Sequence, residues 1–310
     1  MARIYFINGF MDAGKTTFIK ELLGQDYFQI SGETLLIECE EGDEEYPEDF
    51  LEGHHVEKIS IEKEEDFNPE YLAEIEKEYK PKRVIIEYNG MWNRKDLEFP
   101  WYWEDLVEIS IFDATTFEMY SRNMKPLVAE QVRNSLMTII NRCDTVLDKI
   151  GGYRRSLKAV NSYLNVVFYD KDGEMSGRLD EDLPYDINED DLTITDDNYA
   201  TFYIDIMENV DRYVGKQVNL QGMVIKKSDD VLTSFILGRF AMTCCAEDLS
   251  MFGFVCNYSH ADELELDDWV KYSGIIDKDY IEKYNLWYPV IYVKEIEHCN
   301  PPENNFVDVV

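Results

Sequence analysis

The most specific chemistry in this 310-residue chain is carried by eight residues near its start. Gly9, Phe10, Met11, Asp12, Ala13, Gly14, Lys15 and Thr16 fit the spacing G-x-x-x-x-G-K-[ST]. Glycines at the two ends let the backbone curl until successive N–H groups point inward and cradle phosphate oxygens. A helix that starts at the lysine adds partial positive charge at the same point. In such a loop the Lys15 ammonium reaches the β- and γ-phosphates, and the Thr16 hydroxyl joins the shell of an octahedral Mg²⁺. Gly9, Asp12, Ala13, Gly14, Lys15, Thr16 and Thr17 are therefore the expected phosphate-side residues of a nucleotide site. A chance match in a glycine turn is the alternative, and the flanking strand and helix patterns oppose it.

The base side is read from Asn141, Arg142, Cys143 and Asp144, which follow the apolar run LMTII. An aspartate there can accept two hydrogen bonds from guanine N1–H and the exocyclic amine, a pair that adenine does not offer. Asp144 takes that role, Asn141 braces the loop, and Arg142 stands where a lysine is usual. Its flat cation and aliphatic stem can still cover a base face. The spacing favours GTP over ATP, against the alternative of an ordinary strand-to-turn NRCD.

The elements that must position these residues follow from periodicity. Residues 3–8 (RIYFIN), 35–38 (LLIE), 83–87 (RVIIE), 106–112 (LVEISIF), 136–140 and 165–168 are short β-rich runs. Helical patterns lie between them at 15–23, 68–79, 117–124, 126–135 and 151–163. Alternation of this kind predicts an α/β fold, a P-loop NTPase with a mainly parallel sheet. Residues 180–211 hold 12 acidic residues and no Lys or Arg. They read as a linker with one short helix, giving a first domain over 1–175, an acidic linker over 176–210 and a second domain over 211–310. From residue 215 the runs are strand-like, five or so in about 85 residues, which predicts a small β-barrel of the OB type.

Charge limits the partners. The chain carries 30 Lys+Arg against 64 Asp+Glu, a net charge of −34. Such a field repels bare nucleic acid and anionic membrane, since binding either depends on neutralising phosphates. No nucleic-acid partner is expected, although 21 Tyr and 5 Trp could otherwise suggest base stacking. The aromatic run at 92–103 reads as core or as cover for a partner face. No apolar stretch approaches the length of a membrane span. Six irregularly spaced cysteines do not make a disulfide scaffold, so a cytoplasmic chain with reduced thiols is expected.

Taken with their order and spacing, GFMDAGKTT, IIEYNG, IFDATTF and NRCD resemble the CobW-type GTPases, part of the metallochaperone-related group that includes the urease and hydrogenase maturation GTPases. The resemblance covers about residues 1–170. It implies a weak GTPase whose switch loops respond to nucleotide and metal, with many members linked to zinc or cobalt delivery. ECEEG at 38–42 sits where that family has its N-E-x-G switch segment. On that match Glu40 lies near Mg²⁺ and the attacking water, and Cys39 replaces an asparagine. Glu87 matches the glutamate ending the Walker-B-like strand, where a carboxylate can hold Mg²⁺ through water or orient the nucleophile. A strand-end surface charge is the alternative for Glu87, and one acid among many the alternative for Glu40. The family's C-x-C-C metal motif is missing after this segment. His54 and His55 nearby read as an exposed loop pair or a ligand pair.

A second resemblance lies further on. Arg239, Phe240, Cys244, Cys245 and Asp248 fit the R-F-x-x-x-C-C-x-x-D signature of YcgQ-like proteins, whose domain accompanies a predicted permease. The vicinal cysteines admit three readings: Zn²⁺ ligation, a strained vicinal disulfide, or packing as small hydrophobes. Cys39, Cys244 and Cys245 are the candidate Zn²⁺ ligands. Together these readings give a Mg²⁺-dependent GTP-binding protein with weak GTPase activity, coupled to zinc or cobalt handling. Its catalytic candidates are Lys15, Glu40 and Glu87, and its Mg²⁺ candidates Thr16, Glu40 and Glu87. A metal-dependent client, a permease-associated partner and a homodimer are the protein partners this reading allows. A nucleotide-regulated adaptor with negligible turnover, or a metal or redox sensor built on Cys244-Cys245, is the alternative.

Overall fold

The structure is a computed structural model that describes residues 2–175, 183–227, 233–242, 249–281 and 286–307. It divides into two units, Met1–Leu157 with Tyr163–Arg178, and Lys158–Ser162 with Leu179–Val310.

In the first unit, strands β1 (Arg3–Asn8), β2 (Thr34–Glu38), β3 (Val56–Ser60), β4 (Arg83–Glu87), β5 (Leu106–Asp113), β6 (Met137–Asn141), β7 (Asn165–Asp170) and β8 (Gly173–Glu174) form one sheet in the order β3-β2-β4-β1-β5-β6-β7-β8. All pairings are parallel except β7–β8. Both faces are buried, as parallel strands demand. Successive side chains alternate between them: Ile4, Phe6, Leu35, Ile37, Val84 and Ile86 enter one core cluster, while Ile7, Leu36 and Ile85 enter the other. Helices α1 (Lys15–Leu23), α2 (Glu48–Gly53), α3 (Pro69–Tyr79), α4 (Ala114–Asn123), α5 (Lys125–Arg133) and α6 (Ile150–Val160) connect the strands. The parallel sheet and its alternation with helices agree with the sequence reading.

Besides the two-residue β8, two elements of this unit have no counterpart in the sequence reading. β3 has the sequence VEKIS and only Val56 is buried, so no apolar run announces it. It is an edge strand, and charged side chains suit an edge because they discourage further pairing. α2 is short and acidic. The aromatic run splits in two ways: Trp92, Phe99 and Trp103 pack against the core, while Trp101 is 88% exposed.

Parallel pairing brings the carboxyl ends of the strands together. Glu38 pairs with Glu87, Ile7 with Glu87, and Asp113 with Asn141. The edge so formed carries Asn8, Glu38, Glu87, Asp113 and Asn141, and in an open α/β sheet this is the edge where ligands bind.

The second unit contains β9 (Asp191–Thr193), α7 (Tyr199–Glu208), β10 (Gln217–Lys227), β11 (Ser234–Met242), β12 (Leu249–Asn257), β13 (Trp269–Ile281), β14 (Leu286–His298) and β15 (Phe306–Val307). The order β10-β11-β12-β14-β13 returns to β10, so five strands close a ring of ladders. Only β12–β14 is parallel within that ring. Outside the ring, β9 pairs in parallel with the start of β10 and β15 with Phe240 and Ala241 of β11.

The acidic segment read as a linker differs from that expectation over its described part. β9 pairs with β10, and Tyr199, Ala200, Phe202, Tyr203, Ile204 and Ile206 of α7 are buried in the core of the unit. Tyr203 stacks on Phe252 with centroids 4.5 Å apart, and Tyr199 Oη donates to the Phe252 carbonyl at 3.0 Å. The acids around α7 sit at exposed positions and mask a helix that is apolar on most of its surface. Phe202→Ala is therefore expected to destabilise the second unit by about 3–5 kcal/mol, read as an earlier denaturant midpoint. A linker residue would change the midpoint little.

Candidate nucleotide-binding site

The loop between β1 and α1 has the backbone its sequence demands. Gly9 has φ +146° and Gly14 φ +97°, and Asp12 is left-handed at +57°. A Cβ on Gly9 would lie 2.2 Å from the Ile111 carbonyl oxygen. Gly90, at the end of the loop leaving β4, is bound by the same crowding: a Cβ there would lie 2.2 Å from the Gly9 carbonyl oxygen. Gln131 Nε2 fixes Gly90 by donating to its carbonyl at 2.9 Å. Two glycines thus back onto each other beneath the loop.

Inside it, the Lys15 ammonium is nearly fully buried, with 4% of the residue exposed. It donates to the Gly9 carbonyl at 2.9 Å, the Phe10 carbonyl at 3.0 Å and Glu40 Oε2 at 2.6 Å. Thr16 Oγ1 donates to Glu87 Oε1 at 2.7 Å, and Tyr46 Oη donates to the other oxygen, Oε2. Burial holds the Glu87 carboxyl above its usual range, opposed by the hydrogen bonds from Tyr46 and Thr16 and by the charge of Lys15. Lys15, Thr16, Glu40 and Glu87, singled out from the sequence, therefore meet in one place.

On the far side of the loop, Asn141 Nδ2 donates to the Ala13 carbonyl at 2.6 Å. Its Oδ1 is buried without a hydrogen-bond partner among the described residues. Arg142 Nη1 donates to the Asp12 carbonyl at 2.9 Å and pairs with Asp113. Asp113 also caps α4 by accepting from Thr115 N at 2.8 Å. A cavity of about 690 Å³ opens here, lined in part by Gly14, Thr17, Phe18, Asn141, Arg142 and Asp144. The Asp144 carboxylate accepts from the Lys171 amide at 3.3 Å.

These residues fit a nucleoside polyphosphate and Mg²⁺. A buried ammonium inside a curled loop is matched by an anionic oxygen, here supplied by Glu40, and a phosphate oxygen has the same charge and acceptor character. Asn141, whose oxygen is orphaned, is among the residues lining a cavity of the size of a small-molecule site. Thr16, Glu87 and Glu40 are hard oxygen donors of the kind Mg²⁺ takes.

Of the zinc candidates only Cys39 lies among the described residues. Cys39 packs among the core residues, and burial pushes its thiol up, with Glu87, Glu38 and Glu40 adding to the rise. Cys244 and Cys245 lie outside the described residues. Among the described residues no group of three or more His, Cys, Asp or Glu is arranged to hold a metal ion. His54 Nδ1 lies 2.8 Å from the Phe50 carbonyl, at the end of α2. Two residues escaped the sequence reading. Tyr46 is a lone aromatic in an acidic run, and Arg239, known only as part of a signature, is 1% exposed and braces Asp196 and the Asn304 carbonyl.

The parallel sheet, the glycine-lined loop and the lysine and threonine at its helix define a P-loop nucleotide-binding protein. Residues 3–168 match the CobW/HypB/UreG nucleotide-binding domain, and the chain belongs to that family. Residues 169–308 match the DUF1980 C-terminal domain. UPF0703 protein YcgQ of Bacillus subtilis is 18% identical over 116 residues, which span 37% of this chain and 41% of that protein. The hydrogenase maturation factor HypB of Archaeoglobus fulgidus is similar over 55% of this chain and 81% of its own, at 12% identity and a TM-score of 0.41. The zinc-bound YjiA GTPase of E. coli is similar over 94% of this chain and 88% of its own, at 13% identity and a TM-score of 0.39.

The contact between the two glycines supplies a direct test of the loop. Gly90→Ala is expected to push on the Gly9 carbonyl and to destabilise the first unit by about 1–3 kcal/mol, seen in thermal unfolding. Gly53→Ala, where a Cβ meets nothing within 4 Å, serves as the control.

Proposed function

We propose that the chain is a Mg²⁺-dependent guanine-nucleotide switch with slow GTPase activity, acting in the cytoplasm and coupled to the handling or delivery of a metal ion. The observation that carries this reading is the Lys15 ammonium, buried in the curled loop and paired with a carboxylate in the place of a phosphate. The P-loop amides and Lys15 would hold the phosphates. Asn141, Arg142 and Asp144 would hold the guanine. Thr16, Glu87 and Glu40 would hold Mg²⁺, which supplies neutralisation of the phosphate charge. Lys15 would stabilise charge developing on the transferred group, and Glu87 and Glu40 would orient the attacking water.

Membership of the CobW/HypB/UreG family supports the nucleotide half of the reading. The zinc or cobalt half rests on the family resemblance, with Cys244 and Cys245 as its candidate ligands. The ring of five ladders supports an OB-like barrel for the second unit.

Purified protein with Mg²⁺ is expected to hydrolyse GTP slowly, and Lys15→Ala to abolish it. Wild-type protein with no such activity, while still binding GTP, would leave a regulated adaptor instead of an enzyme. Asp144→Ala is expected to weaken GDP binding about tenfold or more while leaving the weaker ADP binding unchanged, since it removes hydrogen bonds that only guanine makes. Equal losses for both nucleotides, measured by calorimetry, would remove the guanine assignment.

A further inference from the structure

The segment between β2 and α2 is fastened at its two ends in ways that differ in kind, and an exposed ion pair of Lys20 with Glu44 at 2.5 Å holds its middle to α1. At one end Glu40 makes an ion pair with Lys15 at 2.6 Å. At the other Tyr46 donates its hydroxyl to Glu87. Between them Glu41, Gly42, Asp43, Glu44 and Glu45 are all exposed. Tyr46 is 6% exposed and belongs to the core cluster that also holds Val56 and Ile7. The Lys58 ammonium, paired with Glu38 at 2.8 Å, lies 6.0 Å from the Tyr46 ring centroid. Both anchors are buried, the Glu40 side chain at 5% exposure, so what separates them is chemistry: Tyr46 is a neutral donor and Glu40 an acceptor paired with an ammonium.

The two anchors respond differently to a ligand. A phosphate competes with Glu40 for Lys15, because both are anionic acceptors for one ammonium. It does not compete with Tyr46, whose hydroxyl is a neutral donor to a carboxylate. That same carboxylate accepts from Thr16 through its other oxygen. Glu87 therefore joins the metal-side hydroxyl to the fixed end of the segment.

We propose that Tyr46 is a positioning residue that ties the β2–α2 segment to Glu87, so that occupation of the Thr16–Glu87 site is transmitted to residues 40–45. Release of Glu40 frees one end of the span. Tyr46 keeps the other end in register with the carboxylate. The segment thus rearranges about a fixed point instead of detaching. The proposal rests on the nucleotide reading above and adds to it the residue that couples the site to the segment.

Tyr46→Phe tests it, with a fluorescent GDP analogue titrated in Mg²⁺ and in EDTA. In EDTA the variant is expected to bind within about twofold of wild type. The gain in affinity on adding Mg²⁺ should fall about tenfold or more, the worth of one hydrogen bond to a charged group. Hydrogen exchange gives a second readout. In wild type the amides of residues 40–46 should change protection when Mg²⁺ joins a non-hydrolysable GTP analogue, and in Tyr46→Phe that change should be lost. An unchanged Mg²⁺ gain in the variant would overturn the proposal. So would wild-type protein that binds nucleotide with no change in protection over 40–46, which needs no variant to fold. Wild-type protein that binds no nucleotide at all would overturn the nucleotide reading and the coupling with it.

Discussion

A single buried ammonium sets the terms for the first unit. Lys15 has lost nearly all its water, and a desolvated cation persists only when its donors are matched. Two matches are carbonyls of its own loop, and both exist because the chain curls back over the lysine. That curl needs the positive φ of Gly9 and Gly14 and the absence of a Cβ at Gly90, against which Gly9 is packed. The third match is Glu40, which is not part of the loop at all. The phosphate loop and the β2–α2 segment are therefore bound together electrostatically before any ligand enters the account.

The parallel sheet explains why one site can draw on so many distant segments. Glu38, Glu87, Asp113 and Asn141 are far apart in sequence, yet each ends its strand at the same edge. Strand length and register decide this, and both follow from the apolar runs that fill the two faces. Once Ile86 and Ile37 are paired in the core, Glu87 and Glu38 have no choice of position. Glu87 lies where water is scarce, so burial raises its carboxyl above the usual range while hydroxyl donors and the nearby lysine oppose the rise. Thr16 and Tyr46 are held to the same carboxylate for that reason.

What was legible in the sequence was what is local. The loop motif, the strand ends and the 3.6-residue patterns lie within short windows, and Lys15 lies against Glu40 and Thr16 against Glu87. β3 was illegible because an edge strand needs little apolar surface, and VEKIS offers a single buried residue. α7 was illegible for the opposite reason. Its apolar surface is almost continuous, but acids on either side lower the average and suggest a solvated linker. Tyr46 gave no signal, because its role depends on a carboxylate 41 residues away. Arg239 shows the limit of a signature: the pattern marks the residue, and only packing shows that it braces Asp196 and the Asn304 carbonyl.

The charge of the whole chain poses the last question. A net −34 opposes the approach of any polyphosphate, and screening over about 8 Å at physiological salt weakens that opposition without removing it. Inside the loop the balance is set locally. Burial lowers the effective dielectric, so the pairing of the Lys15 ammonium with Glu40 at 2.6 Å weighs more there than the many exposed carboxylates further off. Glu41, Asp43, Glu44 and Glu45 are exposed and screened, whereas Glu40 and Glu87 are buried beside Lys15 and Thr16, so a phosphate has only these near acids to displace or share a cation with. A nucleotide that brings its own divalent cation also meets less repulsion than a bare one. In a body this acidic, a metal requirement for tight binding would be a consequence of the electrostatics as much as of the chemistry at the phosphates.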